Sequence, residues 1–118
     1  MAAPIPQAPA PPSAETIRTQ TVQLCTAYAM INSAMPNPQQ NAMQVLPGVN
    51  GLRWALAENP AATPDIRAAI TDAVHTYDAV IGSFGKVRTR GLADPPPYDV
   101  QQAQQVFDHV WDVCQLGS

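Results

Sequence analysis

The chain has 118 residues, room for one domain, with 46 % hydrophobic and only 13 % charged residues against about 25 % charged in ordinary globular chains. A net charge of −3 from six basic and nine acidic residues argues against nucleic acid as a partner, because duplex binding draws its affinity from Lys and Arg on phosphates. No run of 18 apolar residues is present, so no segment of this sequence reads as a transmembrane helix.

Residues 1–12, MAAPIPQAPAPP, hold five of the thirteen prolines and no charged side chain. Such a stretch cannot bury a face and favours extended polyproline II, so it reads as a semi-rigid tether ahead of a folded domain over 13–118. It lacks the basic and apolar regions of a signal peptide, and any membrane attachment would need a segment that this chain does not contain.

A first helix is expected to start at Ser13, a good N-cap, with Glu15 suiting the positive end of the helix dipole. Ile17, Thr21, Leu24, Tyr28, Ile31 and Met35 recur at spacings of three and four and form one stripe, with Val22 and Cys25 at its edge. Pro36 and Pro38 end it. A polar stretch follows to Gly51, in which a short helical turn could form before Pro47-Gly48 breaks it. A short second helix is predicted over about Val49–Glu58, with Leu52 and Leu56 inward, Trp54 near that face, and Asn59-Pro60 closing it.

Thr63-Pro64-Asp65 combines an N-cap, a proline suited to the first helical position and an acidic first turn, so it marks a third helix. Ile66, Ile70, Ala73, Val74, Tyr77, Ile81 and Phe84 give that helix a wide apolar stripe, and Gly85 is the expected stop. Residues 86–97 read as a loop ending in Asp94-Pro95-Pro96-Pro97. The last helix runs from about Asp99 to Gln115, with Val100, Ala103, Phe107, Val110 and Cys114 on one face and Val106, Trp111 and Val113 widening it. No segment alternates with the period of a strand. The fold class is therefore all-α: a small antiparallel bundle of three long helices and one short one.

Cys25 and Cys114 both lie on or beside the core stripe of the first and last helices. An even count without a CxxC motif argues against zinc. The pair reads as a disulfide in preference to two separate buried thiols, because a weakly charged domain of this size gains most from a long-range staple. A bridge implies an oxidising compartment, which agrees with a tethered, exported domain.

Catalytic motifs are not evident: there is no G-x-S-x-G elbow, phosphate loop, HExxH or calcium loop, and the chain is not expected to be an enzyme. His75 has Asp72 and Asp78 three residues to either side, and His109 has Asp108 and Asp112 nearby, but both sets read first as solvated helix faces. No metal is expected. Haem held through His75, His109, Tyr28 or Tyr77 is the one cofactor alternative, although tyrosines on core stripes ordinarily serve packing. Lys86, Arg88 and Arg90 read as a solvated loop. Trp54 and Trp111 are the aromatic residues suited to anchoring a partner, and a homodimer burying the Trp111 face is compatible with the pattern. The ligand-binding candidates are thus His75, Tyr77, His109, Trp54 and Trp111.

Leu24-Cys25-Thr26-Ala27-Tyr28, Gly51-Leu52-Arg53, and Ala62-Thr63-Pro64-Asp65-Ile66 through Ile81-Gly82, together with Cys114, resemble a group of mycobacterial-type envelope proteins. In these, an Ala/Pro-rich linker follows a membrane segment and leads to a small helical extracytoplasmic domain with two cysteines. The resemblance implies an anchored or secreted domain of unassigned function and carries over no active-site residue. The expected role is a non-catalytic binding or scaffolding domain of the cell envelope, with a protein partner or a small apolar ligand. An exported carrier of haem or another apolar ligand is the alternative, and a cytosolic helical interaction protein with reduced thiols is a third.

Overall fold

Ser13 initiates the first helix as its chemistry suggests: its hydroxyl accepts a hydrogen bond from the Thr16 amide, and α1 then runs Ala14–Ala34. The computed structural model describes residues 10–116, so most of the Pro/Ala-rich tether lies outside the described residues. After α1 come a single 3-10 turn over Ala42–Gln44, α2 over Leu46–Glu58, α3 over Pro64–Gly85 and α4 over Val100–Val113. Among the described residues there is no strand, and an isolated bridge joins Arg90 and Ala93 in the loop before α4.

Three boundaries differ from the sequence expectation. Pro47-Gly48 does not break the chain; Pro47 sits in the first turn of α2, where its missing N–H costs nothing, so the helix starts at Leu46. Gly85 is still helical, and the stop is Lys86, which takes the left-handed conformation (φ 52°) and donates its amide to the Gly82 and Ser83 carbonyls. At α4, Asp99 is the N-cap outside the helix, its carboxylate accepting from the Gln101 and Gln102 amides.

The core is continuous from Leu24, Cys25 and Tyr28 of α1 through Val45, Val49, Leu52 and Ala55 around α2 to Ile66, Ile70, Ala73, Val74 and Tyr77 of α3, with Val110 from α4. Some residues predicted on or beside the apolar faces point to solvent instead: Val100, expected on the inner face of the last helix, and Val22 and Trp54, expected beside theirs, are exposed, Trp54 at 67 %. The helix α2 is only 13 residues long and buries one narrow stripe, Val49, Leu52 and Ala55, which leaves Trp54 outside it. Small residues on α2 allow α1 to come close. A Cβ at Gly51 would stand 3.0 Å from Cδ1 of Ile31, and one at Gly48 would stand 2.9 Å from its Cγ2.

Polar side chains fix the connections. Gln20 and Thr21 of α1 accept hydrogen bonds from the Ala61 and Thr63 amides, which satisfies the backbone of the α2–α3 linker. Arg67 donates to the Leu56 and Asn59 carbonyls and so closes the C-terminus of α2. Asp65 is held below the usual carboxylate range by the neighbouring Thr63 hydroxyl, and next by the Ile66 amide at the start of α3.

The helices do not all touch. The helix α4 packs along α3, and α2 packs on both α1 and α3, while α1 and α4 do not pack against each other. Their link is covalent. Cys25, in the middle of α1, is bonded to Cys114, just past the end of α4, with a Cα–Cα separation of 5.6 Å. A persistent bridge of this kind belongs to an oxidising, extracytoplasmic environment. Among the described residues no helix is long and apolar enough to cross a membrane.

Candidate functional site

Because the bridge joins the middle of α1 to the C-terminal end of α4 while the two helices do not pack together, a cleft of about 470 Å³ opens between them, within the range of small-molecule sites. One side is formed by Asn32 of α1, by Met35, which caps that helix, and by Asn37–Gln39 beyond it. The other carries Val100, Gln104, Phe107, Asp108 and Trp111 of α4, and Tyr77 of α3 and Tyr98 of the loop also line it. The other surface depressions described have volumes of 210–250 Å³.

The α4 residues share a side by helical arithmetic: positions 100, 104, 107, 108 and 111 recur at intervals of three and four. Tyr77 is buried, its ring 4.7 Å from that of Phe107 between centroids and tilted by 32°. Its hydroxyl accepts a 2.8 Å hydrogen bond from the Asn32 side-chain amide, which links α1 to α3 inside the cleft. On the other side, the Gln104 amide donates to Oδ1 of Asp108 at 2.8 Å. Burial pushes the Tyr77 hydroxyl above the ordinary tyrosine pKa, with the Asn32 hydrogen bond opposing that shift. Tyr28 is fully buried, and among the described residues its hydroxyl has no hydrogen-bond partner. Its pKa is raised strongly, by burial first and then by the charge of Tyr77 and of Asp108.

Of the five ligand-binding candidates read from the sequence, Tyr77 and Trp111 meet in this cleft. The other three lie elsewhere. His109 lines a shallow depression with Asp72, and His75 lines a neighbouring one with Pro96, Pro97, Tyr98 and Asp99; the two depressions share Gln102. Trp54 stands exposed on α2. Of the two carboxylates spaced about His75, that of Asp78 is engaged in an ion pair with Arg53 of α2. The residues offered for haem ligation are therefore not gathered at one cavity: Tyr77 lines the cleft and neither histidine does. Among the described residues no group of three or more His, Cys, Asp or Glu is placed to hold a metal ion.

Sequence reasoning missed Asn32, Tyr98, Gln104 and Asp108 as site residues. A signal for two of them was present: Gln104 and Asp108 interrupt the stripe that Val100, Phe107 and Trp111 would otherwise continue, and a polar pair within an apolar stripe marks a face that does not close onto a core. Searches of protein-family models, curated proteins and solved structures find no match to this chain.

Proposed function

We propose that the protein is a non-catalytic, extracytoplasmic binding domain of the cell envelope, anchored or secreted, whose working surface is the cleft between α1 and α4. The observation that carries this reading is the cleft itself. Two helices that do not pack together are held by the Cys25–Cys114 bridge around a cavity in which Tyr77, Tyr98, Phe107 and Trp111 converge. Aromatic walls with a few placed polar groups are what small-molecule and partner-anchor sites use for affinity and orientation. The Pro/Ala-rich segment and the resemblance of the motifs around Cys25 and Thr63 to mycobacterial-type envelope proteins are the grounds for the envelope setting, and the bridge supports export.

Titration of the oxidised protein with N-phenyl-1-naphthylamine, an uncharged probe that fluoresces in apolar sites, tests the reading. We expect saturable binding of one equivalent, lost in Gln104→Trp, which fills the cleft from an exposed position, and retained in Trp54→Ala, which lies outside it. No saturable binding, or binding indifferent to Gln104→Trp, would refute it.

A further inference from the structure

The lining of the cleft has a definite electrostatic sign. Of its thirteen lining residues Asp108 is the one with a carboxylate, and none is Lys, Arg or His. Among the described residues no Lys or Arg forms an ion pair with it. Arg53 is committed to Asp78, and Arg67 to the carbonyls that end α2. The neutral polar groups lean the same way. The Asn32 amide donates to Tyr77 and the Gln104 amide donates to Asp108, so each spends an N–H inside the protein and keeps its carbonyl oxygen as an acceptor. Four of the chain's seven Phe, Tyr and Trp residues line this one cleft, and aromatic faces carry negative potential.

Resting on the binding-domain reading above, we propose that the cleft selects an organic cation: an ammonium group, alkylated or free, on a small apolar body. Asp108 supplies the charge, its second oxygen remaining after the Gln104 contact. Phe107, Trp111 and Tyr98 supply ring faces, and Asn32 and Gln104 supply acceptors for any ammonium N–H. An anionic ligand would meet a carboxylate and no compensating cation, and a neutral ligand would leave that carboxylate without an ionic partner.

Choline and its uncharged carbon isostere 3,3-dimethylbutan-1-ol have the same shape and differ in charge, which makes them the test pair. The readout is the indole N–H NMR signal of Trp111, with the exposed Trp54 indole as internal control. Choline is expected to shift Trp111 saturably without shifting Trp54, and to bind about tenfold tighter than the alcohol, the scale of a cation held by rings and a carboxylate. Asp108→Asn retains an acceptor for Gln104 and is expected to reduce that preference to about twofold or less, with the affinity for the alcohol little changed. Equal affinity for the two probes overturns the charge selection while the binding-domain reading stands. So does a preference unaffected by Asp108→Asn, a matching shift of both indoles, or a failure of both probes where N-phenyl-1-naphthylamine binds. If none of the three compounds binds, the binding-domain reading falls with it.

Discussion

Removing the bridge through Cys25→Ala and Cys114→Ala is the perturbation with the largest calculable effect on this fold. The two cysteines are 89 residues apart, and closing a loop of that length removes denatured-state entropy worth about 4.5 kcal/mol in the chain-entropy model. Nothing else ties the same two elements, since α1 and α4 do not pack together. Loss of the Cys25 sulfur from a site only 8 % exposed adds a small cavity term, about 1 kcal/mol at most. Domains of this size are stable by only about 5–15 kcal/mol, so the double variant should lose a third or more of its stability. Alkylation under denaturing, non-reducing conditions followed by intact mass should first find no free thiol in the parent protein. Urea unfolding at 222 nm then gives the difference, and the denaturant slope should rise because the unbridged chain exposes more surface when unfolded. A loss below about 1 kcal/mol with an unchanged slope would refute the argument that this bridge acts by closing the chain.

Other consequences follow from single positions. Lys86→Gly relieves a left-handed residue at the end of α3 and should raise stability by about 1 kcal/mol; a lower urea midpoint would contradict the cap assignment. Gly48→Ala places a methyl against the end of the Met35 side chain, which can move aside, and against the β-branched Ile31 side chain, which has little freedom to yield, and should cost about 1–2 kcal/mol despite the better helix propensity of Ala. Thermal unfolding decides the sign. Burial raises the pKa of both Tyr28 and Tyr77 above the ordinary tyrosine value of 10.0, so the folded state holds those protons more tightly than the unfolded chain. Their contribution to stability is complete below pH 10 and is lost as pH rises above it. Since they are two of three tyrosines, at least two thirds of the phenolate absorbance at 295 nm should appear only together with loss of helical signal. Full ionisation of an intact helical protein would contradict their burial.

The parts of this fold legible in the sequence are those decided within a few residues. Ser13 and Thr63-Pro64-Asp65 mark helix starts by local chemistry, and the stripes of α1 and α3 follow from period alone. Pro47 is ambiguous in the sequence because the same residue that breaks a helix interior is welcome in a first turn, and which applies depends on where the helix begins. Likewise Lys86, not Gly85, takes the left-handed position, because the next turn of α3 closes onto Gly82 and Ser83. The cysteine pair was readable in outline from its place on two stripes. The cleft was not. It depends on α1 and α4 failing to pack, a relation between residues more than sixty positions apart that no local pattern carries. Tyr77 and Trp111 were found as aromatic candidates, whereas Asn32, Gln104 and Asp108 gain meaning only from the residues that face them.

Intermolecular NOEs between bound N-phenyl-1-naphthylamine and the side chains of the oxidised, isotope-labelled protein test the central claim most directly. Cross-peaks are expected to ring protons of Tyr77, Phe107 and Trp111 and to the Met35 methyl, which line the cleft from α3, from α4 and from the residue that caps α1. Cross-peaks confined to Trp54, Val22 and Met43, which are exposed apolar side chains outside it, would contradict the claim that the stapled cleft is where this domain binds.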